Sequence, residues 1–501
     1  MTALLLAPLL AAAAGAAVVT NPVPAPIAPG ITLRLTPFGQ SLPAPGTQFD
    51  GFRTHIHALK PVPDASGRLF IVDTRGTISV ASTAGGTPRL WFDIRIAVPS
   101  FRAWATNGQA GLMSFAFHPN FAGNPGTPGY GIFYTIDTSA DTAGTATLAG
   151  KGPGINHHNV IHEFRVVDPA AATASLTAQR EVLRIAQPRG DHGAGNIAFN
   201  PTAAPGSADY GKLYISLGDG GGGGDPSGNA QDFTSPFGKI LRIDPTPGAG
   251  GAAYTIPADN GFAGDPAKLG EIWAAGLRNP QHFSWDAATG QMLIADMGQS
   301  QLEEVNIGVA GSNYGWPLRE GSFARGTSAD PDVYDTPAKP GGFLDPVAQF
   351  DHEELLRSGE YTLGGISSVF AYTGTAIPEL VGKVVVSELV SGRLLYYDKR
   401  AALLNQPAPF LEIHISKDGR DTNLRSLDGN PLRRQRVDLR LGTDNAGELY
   451  LFSKTYGNIY KLGALSALPK PAPGSPCLST SASPASPCAA PPTRPPAHAR
   501  Q

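Results

Sequence analysis

Residues 68–82 read RLFIVDTRGTISVAS, two short apolar runs joined by an Asp-Thr-Arg-Gly turn. β-Branched and aromatic residues fill the runs and a glycine ends the turn, so the segment predicts a β-hairpin. The same pattern of a short apolar strand and a Gly or Asp turn recurs along the chain. The further copies are YGIFYTIDTS from Tyr130, KLYISLGDGG from Lys212, QMLIADMGQS from Gln291, KVVVSELVSGRLLYYD from Lys383 and ELYLFSKTYGNIYKL from Glu448.

These repeats define the expected architecture. They are spaced by roughly 60 to 90 residues, longer than a minimal propeller blade, and amphipathic helical periodicity is nearly absent between them. We therefore predict one all-β domain over residues 30–465, a six-bladed β-propeller of four-stranded antiparallel sheets. Function in such a fold is expected in the loops of one face.

Composition excludes some partners. The chain has 501 residues, 61 Gly, 46 Pro and a formal net charge of −3, with no Lys/Arg cluster. We expect no nucleic-acid partner, because nothing would neutralise a row of phosphates.

The two ends of the chain differ from the middle. Residues 1–20 open with MTALLLAPLLAAAAGAAVV, which predicts a signal peptide, although the first basic residue is only Arg34. No other apolar run is long enough for a membrane span, so we expect a mature protein without an integral membrane segment, periplasmic or secreted. Residues 466–501 are rich in Pro, Ala and Ser and predict a disordered tail. The tail holds both cysteines, Cys477 and Cys488, so the predicted domain has no thiol for catalysis or metal binding.

The stretch SLGDGGGGGDPSGNAQDF, which begins at Ser216, contains five consecutive glycines. It matches a dinucleotide-binding pattern, one copy of a calcium-binding repeat and part of a P-loop. No helix follows it, no second repeat exists and no Gly-Lys-Ser/Thr is present, so all three interpretations fail. The remaining interpretation is a loop that lets other groups approach the backbone closely.

Five segments in order resemble the soluble pyrroloquinoline-quinone (PQQ) sugar dehydrogenases, the glucose/sorbosone dehydrogenase family. They are GQAGLMSFAFHPNF, DHGAGNIAFNP, YGKLYISLGDGGGGGDPSGNAQDFTSPFGKILRIDP, EIWAAGLRNPQHFSWD and EEVNIGVAGSNYGWPLREG. The resemblance covers most of residues 69–462 and is strongest over 109–321. It implies a six-bladed propeller, PQQ on its axis, calcium against the quinone, and oxidation of an aldose or related alcohol.

The resemblance assigns roles to the residues around two of these segments. His192 corresponds to the catalytic base, which removes the hydroxyl proton as hydride leaves the sugar. Asp191 beside it either orients the imidazole or binds substrate or cofactor. Arg278 and Asn279 correspond to the pair that hydrogen-bonds the quinone oxygens, where a guanidinium stabilises developing negative charge.

Gln109 and Asp219 correspond to further cofactor and substrate contacts. Each of these roles has a structural alternative. His192 could be a loop histidine bonded to backbone, and Arg278 could cap strand ends. Gln109 and Asp219 could each close a turn.

For calcium, the resemblance points to Glu304 and the Tyr314 carbonyl, with carbonyls of Gly298 and Gln299 as further contributors. The alternative is a surface carboxylate beside a packed aromatic ring. His158 and His162 are spaced like a metal pair, but in an alternating β segment they only share a face, and we expect no metal there.

The chain departs from the family at three positions. Val390 stands where the family usually has a lysine, and Gln435 and Val437 stand where it has a pair of arginines that meet the acidic groups of PQQ. Nearby arginines at 393, 434, 436 or 440 could replace them by another route. A buried tricarboxylate without cations would be costly.

Three functions follow. The first is an exported, calcium-assisted PQQ sugar dehydrogenase that acts on a small-molecule sugar and passes electrons to an acceptor the sequence does not identify. The second is a propeller without cofactor that binds glycans or protein partners. The third is a metal-dependent sugar lactonase, which would need a carboxylate-rich central metal site.

Overall fold

The structure is a computed structural model that describes residues 17–43, 53–103, 109–142, 144–326, 332–335, 342–352, 364–427 and 437–465. The chain divides into two units, Met1–Leu465 and Ser466–Gln501, and every described residue belongs to the first. The predicted tail with both cysteines, most of the predicted signal peptide, and Gln435 lie outside the described residues.

The described residues form 29 strands, numbered here in chain order. They are β1 (Ala28–Gln40), β2 (Ile56–Pro61), β3 (Arg68–Asp73), β4 (Thr77–Ser82), β5 (Arg89–Asp93), β6 (Ser114–Phe117), β7 (Ile132–Ser139), β8 (Leu148–Ala149), β9 (His157–Val166), β10 (Leu176–Gln187), β11 (Ala194–Phe199), β12 (Leu213–Leu217), β13 (Lys239–Ile243), β14 (Ile272–Ala275), β15 (Pro280–Trp285), β16 (Met292–Asp296), β17 (Leu302–Gly308), β18 (Arg319–Glu320), β19 (Phe323–Arg325), β20 (Val333–Tyr334), β21 (Ala348–Asp351), β22 (Ile366–Ala371), β23 (Lys383–Glu388), β24 (Leu394–Asp398), β25 (Leu411–Lys417), β26 (Arg420–Thr422), β27 (Leu439–Thr443), β28 (Leu449–Ser453) and β29 (Asn458–Ala464).

Helices are few and short. The α-helical turns are Ile94–Ala97 and Leu424–Leu427, and the 3₁₀ turns are Ala249–Gly251, Pro378–Leu380 and Lys399–Ala401. In the parts of the chain that the structure describes, no helix has the length and apolar character needed to cross a membrane.

The hairpin predicted at residues 68–82 is confirmed. β3 and β4 pair antiparallel from Arg68 opposite Ser82 to Asp73 opposite Thr77. Gly76 closes the turn with φ 110°, and a Cβ there would lie 2.8 Å from the ring of Phe101. A side chain at Gly76 would therefore meet both a strained backbone and a packed neighbour.

Four-stranded antiparallel sheets are the recurring unit, which confirms the all-β prediction. β2–β5, β11–β14, and β15, β16, β17 and β21 each form a four-stranded sheet, and β6, β7, β9, β10 and β8 form a five-stranded one. β18–β20 make a small three-stranded sheet. The last sheet has the order β22-β23-β24-β25-β1-β29-β28-β27, and β26 pairs with β25. β1 joins the two halves of this sheet, because it pairs in parallel with β25 and antiparallel with β29. The predicted count of six blades stays a prediction.

Apolar side chains fill the space between neighbouring sheets. Between the sheet of β2–β5 and the next one, the Phe70 ring lies 5.0 Å from Trp91, and Trp91 lies 4.9 Å from Phe133. All three side chains are buried. Burial of each such ring contributes about 1.5–3 kcal/mol, so these contacts hold adjacent sheets in a fixed relation.

The first strands of successive sheets pack against each other and so determine where the site residues meet. β6 contacts β11, β11 contacts β15, β15 contacts β22, β22 contacts β27, and β27 contacts β2. The predicted site residues come just before these strands: Gln109 before β6, His192 before β11, and Arg278 and Asn279 before β15. Loops far apart in sequence therefore converge at one end of the packed strands.

Candidate active site

His192 and Asp219 form a buried pair. The imidazole Nδ1 lies 2.8 Å from Asp219 Oδ1, and the two residues are 8% and 0% exposed. A carboxylate only accepts hydrogen bonds, so Nδ1 carries the hydrogen and Nε2 keeps its lone pair. This tautomer is the one that a general base requires.

Asp219 is held by several other donors. Its Oδ2 accepts a hydrogen bond from Trp316 Nε1 at 2.9 Å, and its Oδ1 accepts one from the Gly221 N–H at 3.0 Å. Burial alone would raise the pKa of Asp219, but the hydrogen bond and charge of His192 and the charge of Arg278 outweigh burial and keep the pKa below its ordinary value. The carboxylate therefore stays ionised beside the imidazole.

The backbone of His192 is fixed in a left-handed conformation, with φ 47°. Its N–H donates to Gln109 Oε1, and its carbonyl accepts from the Gly220 N–H at 3.2 Å. Gly218 packs directly against it, since a Cβ at Gly218 would lie 2.6 Å from the His192 carbonyl oxygen. The Gln109 side chain thus contacts the main chain of the predicted base.

Arg278 and Asn279 are oriented by Asp296, the last residue of β16. The two Asp296 oxygens accept from the Arg278 N–H at 2.9 Å and the Asn279 N–H at 2.7 Å. Burial raises the pKa of Asp296 to about 7 despite these bonds. The Arg278 carbonyl also accepts from the Asp219 N–H at 2.8 Å, which ties the two predicted groups together.

The guanidinium of Arg278 has a defined position. Its Nε donates to Gln299 Oε1 at 3.2 Å and one terminal nitrogen donates to the Met297 carbonyl at 3.0 Å. It also lies 5.6 Å from the Trp316 ring centre, within range of a cation–π interaction. Because Trp316 also bonds Asp219, the partner of His192 and the guanidinium of Arg278 meet at one aromatic ring.

The carboxamide of Asn279 is fixed on one side only. Gln281 Nε2 donates to Asn279 Oδ1 at 3.0 Å. The Asn279 Nδ2 group is buried, and among the described residues it has no hydrogen-bond partner. A buried donor of this kind is unusual and matches an acceptor supplied by a ligand.

The glycine run is tightly packed. Gly220, Gly221, Gly222 and Gly224 all have φ between 74° and 92°. A Cβ at Gly221 would lie 2.1 Å from Asp191 Oδ1, and Asp191 Oδ2 accepts from the Gly222 N–H at 3.4 Å. Asp191 thus bonds the loop, while Asp219 bonds the imidazole. The run needs glycine both for its backbone conformation and for close approach to its neighbours.

A buried lysine holds the part of the chain that follows the glycine run. Lys239, at the start of β13, is fully buried and donates to the carbonyls of Asn229, Ala230 and Phe237 at 2.7–2.9 Å. Burial lowers its pKa to about 7. Sequence reasoning did not single out Lys239, since a lysine within an apolar strand pattern resembles an ordinary surface position.

Around the residues predicted for calcium, the structure fixes one carboxyl, one hydroxyl and one backbone N–H, and the role of the Tyr314, Gly298 and Gln299 carbonyls stays a prediction. Glu304 pairs across the sheet with Asp296, and burial followed by the charge of Asp296 raises the pKa of Glu304 well above its ordinary value. The Tyr314 hydroxyl donates to the Ile307 carbonyl at 2.7 Å. The Gly298 N–H donates to Glu303 at 3.3 Å.

The loop that contains Gln299 is ordered by Glu320. Glu320 Oε1 accepts from four consecutive N–H groups, those of residues 299–302, at 2.7–3.1 Å. Gln299 Oε1 accepts from Arg278 and from the Gly224 N–H at 3.0 Å. Among the described residues, no group of three or more His, Cys, Asp or Glu side chains is placed to hold a metal ion.

His158 and His162 also have separate partners. His162 Nδ1 lies 2.9 Å from Asp137 Oδ1, and His158 Nδ1 donates to the Asp141 carbonyl at 2.6 Å. The expectation that they form no metal pair stays a prediction.

Two of the three positions of the missing family cations are apolar, and the third, Gln435, lies outside the described residues. Val390 and Val437 are buried, and the Val437 N–H donates to the Val390 carbonyl at 3.0 Å. Of the arginines considered as replacements, Arg393 is paired with Glu412 at 2.7 Å and Arg440 with Asp438 at 3.2 Å. Arginines 434 and 436 lie outside the described residues.

Sequence reasoning missed three residues that organise the site: Asp296, Trp316 and Gln281. Each stood in a segment already singled out, in QMLIADMGQS, NYGWP and GLRNPQHF respectively. An aspartate that ends an apolar strand was the one available signal, because such a side chain commonly accepts from a neighbouring loop.

Comparison with known proteins relates this chain to sugar dehydrogenases and to proteins named for Hedgehog interaction. The Glucose / Sorbosone dehydrogenase family profile matches residues 54–414. The HIPL1 protein of Arabidopsis thaliana is 30% identical over 371 residues, covering 66% of this chain and 50% of that protein. Aldose sugar dehydrogenase YliI of Escherichia coli is 26% identical, covering 53% and 59%. Human Hedgehog-interacting protein is 27% identical, covering 47% and 31%.

Solved structures share the fold. The PQQ-bound form of aldose sugar dehydrogenase from Streptomyces coelicolor superposes with a TM-score of 0.54 at 22% identity, covering 88% of this chain and 99% of that one. The chain spans about half the length of HIPL1, the first of the relatives named. Since the family profile matches well over half of the sequence, the chain belongs to the glucose/sorbosone dehydrogenase family.

Proposed function

We propose that this protein is an exported PQQ-dependent sugar dehydrogenase, a six-bladed propeller over residues 30–465 that oxidises an aldose or related alcohol. The observation that carries the proposal is the His192–Asp219 pair, which Trp316 links to Arg278, with the buried donor of Asn279 on the next residue. Its dehydrogenase family membership supports the reaction class.

The residues fit the quinone end of PQQ. Asn279 Nδ2 is a buried donor in need of an acceptor, and a quinone oxygen would supply one. Arg278 lies on the adjacent residue, with its Nε and one terminal nitrogen already anchored by Gln299 and Met297. PQQ, when bound, would supply the two-electron acceptor that takes the hydride.

The chain's own groups then perform the proton chemistry. A substrate hydroxyl would donate its proton to His192 Nε2 as hydride leaves the adjacent carbon. Asp219 stabilises the imidazolium that forms and prevents the ring from rotating. Arg278 would stabilise negative charge that develops opposite the substrate, and general-base catalysis of this kind typically contributes about 10²–10⁴-fold in rate.

Calcium would take oxygen donors of the type that the Glu304 carboxyl and the backbone carbonyls of Tyr314, Gly298 and Gln299 offer. In the described parts of the chain, no group of three or more His, Cys, Asp or Glu side chains is placed to hold a metal ion. The residues as placed do not fit a carboxylate-rich calcium site, and no step is assigned to the metal.

The test is reconstitution of the purified full chain with PQQ, with and without calcium. Dye reduction is then followed with a panel of aldoses and polyols. We expect sugar-dependent reduction that requires PQQ. The matched control is Asp219→Asn, which keeps the shape but removes the charge that fixes the His192 tautomer. An absence of quinone binding by calorimetry would reject the enzyme assignment.

A second function is favoured by a specific observation. Val390 and Val437 bury apolar side chains where the family has cations, and Arg393 is paired with Glu412. A propeller that lost PQQ would serve as a binding module for glycans or proteins, and similarity to Hedgehog-interacting protein is compatible with this. Calorimetric titration with PQQ separates the two functions.

A further inference from the structure

Glu320, on β18, is a buried carboxylate that holds a loop beside the candidate active site. Its side chain is 1% exposed. Its Oε1 accepts from the N–H groups of four consecutive residues, 299–302, at 2.7–3.1 Å. Several N–H groups directed at one oxygen form a site for negative charge, and hydrogen bonds to a carboxylate are the stronger kind. Glu320 therefore fixes the backbone of this loop.

The loop itself is closely folded. Residues 297–301 connect β16 to β17, and Leu302, the first residue of β17, is fully buried. A Cβ at Gly298 would lie 1.5 Å from the Leu302 carbonyl oxygen and 3.2 Å from Glu320 Oε1. Residue 298 must therefore be glycine for space alone. The loop has one compact form as long as the carboxylate occupies its centre.

Two residues of this loop hold the guanidinium of Arg278. Arg278 Nε donates to Gln299 Oε1 at 3.2 Å, and a terminal nitrogen donates to the Met297 carbonyl at 3.0 Å. Gln299 Oε1 also accepts from the Gly224 N–H at 3.0 Å, in the glycine run of another sheet. A shift of the loop would therefore displace both acceptors of Arg278 and would also remove the acceptor of Gly224.

Glu320 is also connected to Trp316. Its Oε2 lies 3.4 Å from Nε of Arg325, which is on the neighbouring strand β19 and is equally buried. The Arg325 guanidinium lies 4.8 Å from the centre of the Trp316 ring, within the range of a cation–π interaction. Trp316 Nε1 in turn donates to Asp219. Contacts from Glu320 thus lead to Arg278 through the loop and to Asp219 through Trp316.

Glu448 provides a matched comparison away from the site. It is 5% exposed, its Oε1 accepts from the N–H groups of Thr375 and Ala376 at 2.9 Å, and its Oε2 accepts from the Tyr372 hydroxyl at 2.7 Å. Residues 375 and 376 follow β22, whereas the site residues precede the first strands of their sheets. Loss of either glutamate removes a buried carboxylate that holds a loop, but only Glu320 has contacts that lead to Arg278 among the contacts described here.

We propose that Glu320 is a positioning residue of the candidate active site, which holds the loop at residues 297–302 so that Met297 and Gln299 place the guanidinium of Arg278. The catalytic consequence rests on the function proposed above, in which Arg278 stabilises charge that develops during sugar oxidation. The structural consequence does not, because the loop and the Gly224 N–H are observable in protein without PQQ.

The first experiment is amide deuterium exchange of the full chain without PQQ, read by mass spectrometry. In Glu320→Ala, exchange at residues 299–302 should become about 10-fold faster, the effect of one lost hydrogen bond. Exchange at Gly224 should also become faster, because Gln299 Oε1 moves away. A purely local role of Glu320 would not change Gly224, which lies in another sheet's loop. Glu448→Ala should change neither segment.

The second experiment is steady-state kinetics of PQQ-loaded protein. Glu320→Ala should lower kcat about 100-fold and leave KM for the sugar within about threefold, since a displacement of about 1 Å at a catalytic group costs this much rate. Glu320→Gln keeps an oxygen that accepts from the four N–H groups. It should restore the slow exchange at residues 299–302 and most of kcat. Glu448→Ala should change kcat by less than about threefold.

The exchange measurement decides the proposal even if the enzyme assignment fails. If Glu320→Ala does not fold, Glu320→Asp, whose shorter side chain withdraws the carboxylate from the loop, should speed exchange at the same two places. Unchanged exchange at residues 299–302 or at Gly224, or equal changes in Glu448→Ala, would overturn the positioning role. A wild type that binds no PQQ would reject only the proposed function, and faster exchange at Gly224 would still support the role of Glu320.

Discussion

The residues around His192 and the region expected to meet the acidic groups of PQQ are built differently. On the His192 side, which comprises His192, Asp219, Arg278 and Asn279, the polar groups bond one another or the backbone, except that Asn279 Nδ2 has no partner among the described residues. On the Val390 side, which comprises Val390, Val437 and Arg393, two positions are apolar and the arginine is paired with Glu412. The comparison teaches that the residues proposed for proton transfer and the residues expected to bind the acidic groups of PQQ can change independently. Each set therefore needs its own experiment.

The largest expected effect is on the His192 side. His192→Asn should lower sugar-dependent dye reduction in PQQ-loaded protein by about 10²–10⁴-fold, because asparagine tolerates the left-handed backbone but accepts no proton at neutral pH. The measurement is kcat together with PQQ affinity, which should stay within about twofold. Equal rates in the two proteins would remove His192 from the mechanism and leave the two sides alike.

The second effect is on stability. Lys239→Met should lower the free energy of unfolding by about 3 kcal/mol, since the carbonyls of Asn229, Ala230 and Phe237 lose their donor. Chemical denaturation measures it. The matched control is Lys212→Met, which removes a partly exposed pair with Asp244 and should cost about 1 kcal/mol or less. Equal losses would show that the glycine loop does not depend on Lys239.

The third effect would restore the Val390 side. The double substitution Val390→Lys and Val437→Arg should tighten PQQ binding by about 10-fold, because it places cations where the cofactor's carboxylates are expected. Calorimetry measures it. Val381→Lys, at a position that is 62% exposed, is the control for added charge. The same gain in the control would mean that the effect is non-specific.

The smallest expected effect tests whether Arg393 replaces the family's missing cations in binding PQQ. Arg393→Met should change PQQ affinity by less than about twofold, since Glu412 holds the guanidinium. Glu412→Gln, which releases it, is the companion variant. A tenfold loss of PQQ affinity in Arg393→Met would show that Arg393 reaches the cofactor, and the contrast between the two sides would then weaken.

Local sequence pattern was enough to predict individual strands and hairpins. The apolar hairpin at residues 68–82 is observed over the same residues, and so are the strands at 213–217 and 292–296. The motif around His192 led to the residue that bonds Asp219. The parallel pairing of β1 with β25 could not be foreseen, because nothing in residues 28–40 identifies a partner almost four hundred residues away.

The site was only partly predictable for a related reason. Trp316 acts by bonding Asp219, which follows a strand of another sheet, and Asp296 acts by bonding the loop that leads into its paired strand β15. Both roles depend on how the strands and sheets pack. Long-range packing brings such residues together, and local periodicity does not report it.

The close approach of Gly218 to His192 also restricts how this protein can change. His192 needs a residue that accepts a positive φ, and Gly218 leaves no room for a methyl group beside it. A mutational library should therefore show that both positions tolerate few substitutions, and that a change at one is not rescued by a change at the other. New activities are more accessible through the surrounding loops, which can vary while this pair stays fixed.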